Sequence, residues 1–309
     1  MQQFSLCFGK VKKDCLKFIK SQETKADKFK NKERMIKSFL IPLCFWISKK
    51  ADKKSPYFVG LAGGQGTGKT TISSLIKIIL TKYFKLKVFR ISIDDFYKTR
   101  KERISLSKRI HPMLLTRGVP GTHDINLMLS FFKKIKSKKF KKIKLPTFSK
   151  AIDDRANEKY WYHLKEKPDV IIFEGWCVGA KSEKNNTLKK TINSMEKGKD
   201  QKQTWRKYVN QQLKSKYKNL YSQLNCLIYL KASSFSLLQK WRLKQERKLW
   251  LNSKKNSNLK IMSKEDVISF MQTYQRITQN MFKKTHKYAS IILNLNSNHQ
   301  IKSAVYKRK

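Results

Sequence analysis

Cysteine is one of several residue types that the sequence uses sparingly. Its five cysteines (Cys7, Cys15, Cys44, Cys177 and Cys226) are widely spaced and form no CxxC pair. An odd, scattered set in a chain of 309 residues argues against a disulfide framework and for reduced thiols in a cytosol-like compartment. The predicted location is therefore cytoplasmic.

Long hydrophobic runs are also missing. The most apolar stretch, SFLIPLCFWIS at 38–48, is about half the length of a membrane span and contains Pro42. Met1–Lys20 has neither an uninterrupted apolar region nor a cleavage-site pattern, so no signal peptide is predicted. These absences predict that the chain has no membrane partner. A hydrophobic content of 39% nevertheless predicts a globular chain with a buried core.

Acidic residues are scarce. The chain has 21 Asp and Glu against 71 Lys and Arg, which gives a formal net charge of +50. A chain this basic could bind nucleic acid or an anionic membrane surface. Its lysines are spread from end to end, however, and the aromatic residues do not alternate with basic ones as they do where bases stack. A lysine-rich composition on solvated faces accounts for the charge, and no specific nucleic-acid partner is predicted.

Glycine is scarce too, yet four of the 11 glycines lie between positions 63 and 68. The stretch GGQGTGKTT (63–71) fits G-x-x-x-x-G-K-[ST], the Walker A phosphate loop. Glycines let backbone N–H groups turn inward around phosphate oxygens, and the positive end of the following helix adds to this attraction. We predict that a nucleotide is bound by Gly63, Gly64, Gln65, Gly66, Thr67, Gly68, Lys69, Thr70 and Thr71.

Two side chains of this loop have predicted chemical roles. Lys69 would reach the β/γ-phosphates as a catalytic residue, and the Thr70 hydroxyl would ligate Mg²⁺. An apolar run precedes the loop and a helical pattern follows it, which is the context that the motif requires. ATP and Mg²⁺ are therefore the predicted cofactors.

Short apolar runs alternate with helical patterns along the chain. The predicted strands lie at 56–62, 86–93, 168–173, 225–230 and 288–295. The predicted helices lie at 70–83, 124–134, 205–220, 235–250 and 264–283. This alternation predicts a three-layer α/β fold around a central, mostly parallel, five-stranded sheet, with ligands at the carboxyl ends of the strands.

The predicted domain covers 38–296. A basic N-terminal extension, 1–37, precedes it without an assigned role, and a basic tail, 297–309, follows it. The lysine-rich segment 181–203 contains few apolar residues and is predicted to be an excursion from the domain.

Two further strand ends carry acids. ISIDDFYKT (91–99) brings Asp94 and Asp95 to the predicted mouth of the sheet, and VIIFEGW (170–176) brings Glu174. A kinase acting on a small hydroxyl needs a carboxylate to orient and deprotonate the attacking oxygen, and another carboxylate helps to hold Mg²⁺. The alternatives are a solvated acidic turn or helix cap at 94–95 and an ordinary turn at 174. Beside a phosphate loop we favour the functional interpretation, with Glu174 as a metal ligand.

The succession of phosphate loop, DDFY and FEGW resembles the branch of P-loop kinases that includes uridine kinase, phosphoribulokinase and pantothenate kinase. Five longer stretches resemble the D-glycerate 3-kinase family within that branch. They are LLTRGVPGTHD (114–124), LPTFSKAIDDRA (145–156), IIFEGWCVGAK (171–181), WRKYVNQQLKSKYKNL (205–220) and YLKASSFSLLQKWRLKQE (229–246). The resemblance covers about residues 38–295 and implies a P-loop kinase fold with a helical lid at 235–255.

The resemblance also implies a reaction. The chain would be a phosphotransferase with an alcohol group as acceptor, moving the γ-phosphoryl group of ATP to a hydroxyl of a small hydroxy acid, D-glycerate. Another small acceptor, such as a nucleoside or a pantothenate-like molecule, is the alternative. A nucleic-acid-associated NTPase, suggested by the net charge, is a further alternative from a different class.

Residue roles follow from the same resemblance. Asp94 aligns with the general base of related kinases, and Asp95 would serve beside it on the acceptor or Mg²⁺-water side. The segment RGVPGTHD corresponds to the acceptor-side loop of the family, in which Asp124 is also a natural helix N-cap. Candidate contacts for an anionic acceptor are Arg117, His123, Lys150 and Arg155.

The lid supplies two arginines to the prediction. Arg242 would act on the phosphates as a catalytic residue and Arg247 would bind nucleotide, because a guanidinium matches phosphate oxygens and is always charged. An ordinary basic helix face is the alternative. One departure from the family concerns the acceptor: relatives commonly carry Asp just before the lysine of LPTFSK, whereas this chain has Ser149.

Overall fold

The computed structural model describes residues 2–24, 28–52, 54–253 and 262–307. Residues 254 and 255 of the predicted lid, 308–309 of the predicted tail, and 1 and 25–27 of the predicted N-terminal extension lie outside the described residues. No helix in the described part of the chain is both long enough and apolar enough to cross a membrane.

The described residues include helices along the whole length of the chain. The helices are α1 (Gln2–Gln22), α2 (Lys32–Met35), α3 (Ile41–Ser48), α4 (Lys69–Lys82), α5 (Arg100–Arg109), α6 (Ile125–Lys136), α7 (Ser194–Lys199), α8 (Thr204–Gln212), α9 (Lys218–Tyr221), α10 (Phe235–Ser253) and α11 (Lys264–Lys284). A π-helical turn, Ile36–Leu40, precedes α3, and another, Leu213–Tyr217, joins α8 to α9.

The strands cover the five predicted runs and several shorter stretches. They are β1 (Tyr57–Gly63), β2 (Val88–Ser92), β3 (Ile143–Leu145), β4 (Phe148–Ser149), β5 (Asp154–Arg155), β6 (Tyr162–Leu164), β7 (Val170–Gly175), β8 (Cys226–Lys231), β9 (Ile291–Leu295) and β10 (Ile301–Tyr306). β3 pairs with β6 and β4 with β5, in two small antiparallel sheets beside the main one.

The central sheet has six strands within the described residues, in the order β10-β9-β8-β1-β7-β2. β2, β7, β1, β8 and β9 run parallel, and only β10 is antiparallel to its neighbour. The chain leaves β1 toward β2 on one side and later reaches β8 on the other. This reversal of direction at β1 is where an open α/β sheet binds its ligand.

Alternation along the central strands produces a core on each face of the sheet. In β1, Val59 and Leu61 point into one buried cluster, whereas Phe58 and Ala62 point into the other. β7 is buried over its whole length, as expected for a parallel strand covered on both faces. The predicted three-layer α/β fold is confirmed, with β10 as an additional edge strand.

The N-terminal helix belongs to the packed core. Cys7, Val11, Cys15 and Ile19 of α1 are fully buried among residues of the same cluster as Val59. They recur every four residues and so lie on one face of the helix. The described part of 1–37 is therefore packed on the body of the protein, although sequence reasoning assigned it no structure.

Buried ion pairs, together with the buried apolar residues Leu188 and Met195, hold the segment 181–203 in place. Glu196, on α7, is fully buried and lies 2.6 Å from the guanidinium of Arg276 on α11. Asp200 pairs with Arg206 at 2.8 Å, and both are buried. A buried charge needs such a partner. The predicted excursion is thus held against α8 and α11 by ion pairs that its low apolar content did not reveal.

Candidate active site

The phosphate loop joins the buried end of β1 to the first turn of α4. Gly66 and Gly68 have φ angles of +78° and +82°, a region that side chains disfavour. Gly68 is also the residue from which α4 begins. Thr67 closes the loop internally by donating its hydroxyl hydrogen to the Gly64 carbonyl oxygen at 2.8 Å. The glycine-rich sequence therefore produces the turn that a phosphate cradle needs.

Lys69 extends over this loop. Its Nζ donates to the carbonyl oxygens of Gly63 at 2.9 Å and Gly64 at 3.0 Å. Burial lowers the pKa of the Lys69 ammonium, while Glu174 and Asp94 oppose the shift. An anionic phosphate beside the ammonium would stabilise its charged form.

Thr70 and Glu174 meet where β7 ends beside α4. The Thr70 hydroxyl donates to Glu174 Oε1 at 3.0 Å, and Ser73 donates to Glu174 Oε2 at 2.7 Å. Glu174 is buried, with 7% of its surface exposed. A carboxylate and a hydroxyl are hard oxygen donors of the kind that Mg²⁺ accepts alongside phosphate oxygens and water. These residues therefore fit the predicted metal.

Asp94 lies on the next strand end, in a 3₁₀ turn (Ile93–Phe96) that follows β2. Tyr97 donates its hydroxyl hydrogen to Asp94 Oδ1 at 3.0 Å. The Nζ of Lys150 lies 3.7 Å from Asp94 Oδ2. The Asp94 side chain keeps 36% of its surface exposed, so an incoming hydroxyl can approach it.

Asp95 caps its own turn. Its Oδ2 accepts a hydrogen bond from the Ser92 backbone N–H at 3.2 Å, and Ser92 in turn caps Asp94. This reciprocal arrangement is a capping box. The contacts of Asp95 are thus those of a turn-forming residue.

Two of the predicted acceptor contacts are engaged by acids. Arg117 forms an ion pair with Asp153, which also lies 3.1 Å from Arg103. Arg155 lies 3.3 Å from Asp124 and donates to the Tyr97 carbonyl oxygen at 3.1 Å. Within the described residues, Lys150 is the member of the predicted set that forms its ion pair with Asp94 itself.

His123 is a buried, neutral ring. It stacks on Tyr97 with ring centres 4.5 Å apart, and its Nδ1 lies 2.6 Å from the Tyr217 hydroxyl oxygen. The Tyr217 hydroxyl oxygen also accepts from the Gly121 N–H, so this hydroxyl connects the ring to the backbone of the RGVPGTHD segment. Burial lowers the pKa of His123 to about 4. His123 therefore offers an acceptor no positive charge.

The neighbouring residues Asp124 and Ser149 have structural contacts. Asp124 accepts a hydrogen bond from the Leu127 N–H at 3.0 Å and caps α6, which confirms the predicted N-cap. Ser149, which stands where relatives commonly carry Asp, pairs with Asp154 between β4 and β5.

The predicted lid helix, α10, packs directly on the phosphate loop. A Cβ placed on Gly64 would lie 2.3 Å from Leu238, and one placed on Gly66 would lie 2.9 Å from the Trp241 side chain. Arg242 forms an ion pair with Glu246 one turn further along the helix. Arg247 is exposed. Gly66 is thus required both by its positive φ and by the close approach of α10, whereas Gly64 is required by the approach of Leu238 alone.

A turn near the carboxyl end of the described chain completes this contact. His299 stacks on Trp241 with ring centres 3.8 Å apart, and its Nε2 lies 2.5 Å from the Gly66 carbonyl oxygen. A carbonyl oxygen only accepts, so Nε2 is the donor. The phosphate loop is therefore contacted by both α10 and His299.

The segment that contains these residues matches a known protein family. Residues 58–183, which include the phosphate loop, Asp94 and Glu174, match the model of the phosphoribulokinase / uridine kinase family. This segment is a phosphoribulokinase/uridine kinase family domain.

The relatives of the kinase domain agree with that assignment. An uncharacterized kinase of Schizosaccharomyces pombe, mug58, is 29% identical over 232 residues, which cover 71% of this chain and 78% of that protein. The chloroplastic D-glycerate 3-kinase of Arabidopsis thaliana is 26% identical over 254 residues, or 76% of this chain. The match spans 52% of the Arabidopsis protein, about half its length.

A solved structure shows the same fold. The D-glycerate 3-kinase of Cryptococcus neoformans superposes with a TM-score of 0.71 at 23% identity, covering 88% of this chain and 99% of that one. The coverage extends well beyond the 58–183 segment, so the fold similarity includes helices and strands on both sides of the kinase domain match.

Sequence reasoning overlooked three residues of the kinase site. Tyr97, the last residue of DDFY, donates a hydrogen bond to Asp94, a contact that the motif does not predict. Ser73 lies one turn after Thr70 and bonds Glu174. Arg90 bonds Ser73 at 2.9 Å. Only Arg90 left a signal in the sequence, as a charged residue between Phe89 and Ile91 in the middle of a predicted strand.

Asp95 makes a pH-dependent contribution to stability. Its pKa is raised to about 6, mainly by burial, while the hydrogen bond from Ser92 opposes the shift. In an unfolded chain the pKa of the same carboxyl is about 3.9. Because the folded pKa is higher, ionisation disfavours the folded state, and stability is lost as pH rises from about 4 to about 6.

Asp95→Asn is expected to remove this dependence, because asparagine cannot ionise yet its side-chain oxygen can still accept from Ser92. Relative to the wild type, the free energy of unfolding should be unchanged near pH 4 and higher by about 2 kcal/mol at pH 7.5. Urea unfolding of both proteins at both pH values measures this. If the variant and the wild type differ in free energy of unfolding by the same amount at both pH values, Asp95 does not cause the pH dependence.

Proposed function

We propose that this chain is an ATP- and Mg²⁺-dependent kinase that phosphorylates a hydroxyl of D-glycerate. The observation that carries the proposal is the convergence of three strand ends. The phosphate loop, the Thr70–Glu174 pair and Asp94 lie at the carboxyl ends of β1, β7 and β2, which are adjacent in the sheet. Convergence of these groups suits in-line phosphoryl transfer, in which catalysis consists mainly of positioning and charge stabilisation.

Each residue at this edge has a role in the proposed reaction. The acceptor oxygen forms a bond to the γ-phosphorus as the bond to the β,γ-bridging oxygen breaks, and ADP leaves. Asp94 accepts the hydroxyl proton of the acceptor. Lys69 moves from the loop carbonyls to the β/γ-phosphates and stabilises the charge that develops there. Thr70 and Glu174 would hold Mg²⁺, which when bound neutralises charge on the phosphate oxygens.

The lid residues complete the proposed site. α10 already contacts Gly64 and Gly66 through Leu238 and Trp241. Arg242 lies one residue beyond Trp241 and would have to exchange its Glu246 partner for phosphate oxygens when nucleotide is bound. Such closure also excludes water, which limits ATP hydrolysis. Arg247, which is exposed, would join the nucleotide contacts.

Lys150 is our candidate for the acceptor carboxylate. Its ammonium lies 3.7 Å from Asp94, and its side chain keeps 69% of its surface exposed. Arg117 and Arg155 are committed to Asp153 and Asp124. A cation beside the general base would hold a small hydroxy acid with its hydroxyl close to that base. Arg117 and Arg155 would then shape this side of the site by fixing its acidic neighbours.

The choice of D-glycerate is supported by the extent of the similarity. The match to the Arabidopsis D-glycerate 3-kinase covers 76% of this chain and so includes α8 and the segment around Lys150. A nucleoside or a pantothenate-like acceptor remains the alternative within the same kinase family. D-glycerate and a nucleoside differ in the group that would meet Lys150, since a nucleoside has no carboxylate.

The acceptor is tested with the purified full chain, Mg²⁺ and ATP. We expect ADP release with D-glycerate, and a phosphoglycerate product by ³¹P NMR, at a kcat/KM at least about tenfold above that for uridine or pantothenate. The Lys69→Ala variant is the matched control for contaminating kinases. If a nucleoside or pantothenate is phosphorylated efficiently and D-glycerate is not, the proposed acceptor is wrong, while the proposed kinase activity is retained.

A nucleic-acid-associated NTPase would give a different result. Weak polynucleotide binding decides nothing, because any polycation binds at low salt and loses affinity as salt rises. We expect no stimulation of ATP hydrolysis by RNA or DNA at physiological ionic strength. Stimulation there, with no small acceptor phosphorylated, would overturn the proposed kinase.

A further inference from the structure

Arg90 is a charged residue in the middle of β2, which forms one edge of the main sheet. It lies on β2, which pairs with β7, two residues before Ser92, the register partner of Glu174. Its side chain is 26% exposed and its NH2 lies 3.7 Å from Glu174 Oε1. Arginine at this position is not explained by the apolar pattern of the strand, so its contacts need a separate account.

All three nitrogens of the Arg90 guanidinium donate to the first turns of α4. Nε donates to Ser73 Oγ at 2.9 Å, NH1 to Ser74 Oγ at 2.7 Å, and NH2 to the Thr70 carbonyl oxygen at 3.3 Å. A guanidinium has donors and no acceptor. Both serine oxygens therefore receive a hydrogen bond from Arg90, and each serine must direct its own hydrogen elsewhere.

The available acceptors fix where those hydrogens go. Ser74 donates to the Thr70 carbonyl oxygen at 2.7 Å, which also receives Arg90 NH2. Ser73 has that same carbonyl at 3.1 Å but Glu174 Oε2 at 2.7 Å. A charged acceptor makes the shorter and stronger bond. The Ser73 hydrogen is therefore directed at Glu174, while Oε1 stays beside the Thr70 hydroxyl at 3.0 Å.

We infer that Arg90 is a positioning residue for the metal site. Acting through Ser73, it fixes the Glu174 carboxylate so that Oε2 is occupied and Oε1 is presented next to Thr70. The inference rests on the proposed Mg²⁺–nucleotide site and extends it, because neither Arg90 nor Ser73 would touch the metal. Groups that orient a metal ligand in this way set metal affinity by about 10–100-fold when removed.

A purely structural role for Arg90 makes a different prediction. Arg90 also joins β2 to α4, and that connection involves Ser74 as much as Ser73. Among the described residues Ser74 hydrogen-bonds to Arg90 and to the Thr70 carbonyl oxygen, and the Glu174 carboxylate is bonded by Thr70 and Ser73 instead. Ser74→Ala is therefore the matched control, since it weakens the connection between β2 and α4 without releasing the carboxylate.

The experiment measures ADP affinity by calorimetry with and without Mg²⁺, using the full chain. For the wild type we expect Mg²⁺ to increase ADP affinity. Arg90→Met and Ser73→Ala should each reduce that increase by about tenfold or more, with Mg²⁺-free affinity near the wild-type value. Ser74→Ala should retain the increase. The double variant Arg90→Met/Ser73→Ala should lose no more of the Mg²⁺ effect on ADP affinity than either single variant, because both residues act on the same carboxylate.

Several outcomes would overturn the inference. They are an undiminished Mg²⁺ effect in Arg90→Met, an equal loss in Ser74→Ala, or additive losses in the double variant. Thermal unfolding checks that each variant is folded, and if Arg90→Met is not, the comparison of Ser73→Ala with Ser74→Ala decides. A wild type whose ADP binding ignores Mg²⁺ would instead contradict the proposed function itself.

Discussion

Lys69→Ala is expected to abolish phosphoryl transfer while the protein stays folded. The Lys69 ammonium contacts the carbonyl oxygens of Gly63 and Gly64, and in the proposed reaction it moves to the β/γ-phosphates. Removing a charge-stabilising donor of this kind costs about 10²–10³-fold in turnover. Because Lys69 is the cation that the loop itself supplies, we expect the upper end of this range or beyond. Steady-state turnover with Mg-ATP and acceptor measures the loss.

The stability of the same variant is a second, independent expectation. The shape of the loop depends on Gly66 and Gly68, whose φ angles are positive, and not on the lysine. Burial lowers the pKa of Lys69, so holding the charged form in the folded protein costs free energy without phosphate. The melting temperature of nucleotide-free Lys69→Ala should therefore be no lower than that of the wild type.

Lys82→Ala is the matched control for Lys69→Ala. Lys82 lies in the last turn of the same helix and forms an exposed ion pair with Asp14 at 3.2 Å. Exposed pairs contribute little to stability, and the residue is remote from the phosphate loop along α4. Turnover should stay near the wild-type value. Equal turnover in Lys69→Ala and Lys82→Ala would contradict the role of the phosphate loop.

The parts of the fold that sequence predicted are those with a local signal. The parallel strands are short apolar runs buried on both faces, so all five were visible as patterns. β10 was not, because its burial is irregular and only Ile301 is fully packed. The segment 181–203 was not either. Its order depends on Arg276 meeting Glu196 from a distant part of the chain, and local composition carries no information about such a pair.

The same distinction applies to the site. The positions of Asp94 and Glu174 could be predicted because acids that follow parallel strands meet at one edge of the sheet. The partners of Arg117 and Arg155 could not, since spacing along the chain does not show which acid an arginine will meet. Asp153, which engages Arg117, lies inside the LPTFSKAIDDRA segment that suggested acceptor contacts. One acid of that segment therefore engages an arginine assigned to the acceptor, and Arg155 of the same segment is engaged by Asp124 from the preceding motif.

Asp94→Asn is expected to reduce turnover by about 10²-fold or more, with ATP binding near the wild-type value. Asparagine preserves the size of the side chain and can still accept the hydrogen bond that Tyr97 donates at 3.0 Å. It cannot accept the proton of the attacking hydroxyl. The loss should therefore appear in kcat. Nucleotide affinity, measured separately by calorimetry, should change little because Asp94 lies in the turn after β2, whereas the phosphate loop follows β1.

Asp95→Asn provides the comparison that decides whether Asp94 is the base. Asp95 is adjacent in sequence but accepts from the Ser92 N–H and caps the turn, an interaction that asparagine can reproduce. Its turnover should fall far less than that of Asp94→Asn. Small and equal losses at both positions would show that the two acids only form a capping turn. A large loss confined to Asp94 would agree with proton transfer to the one carboxylate of the pair that lies beside Lys150.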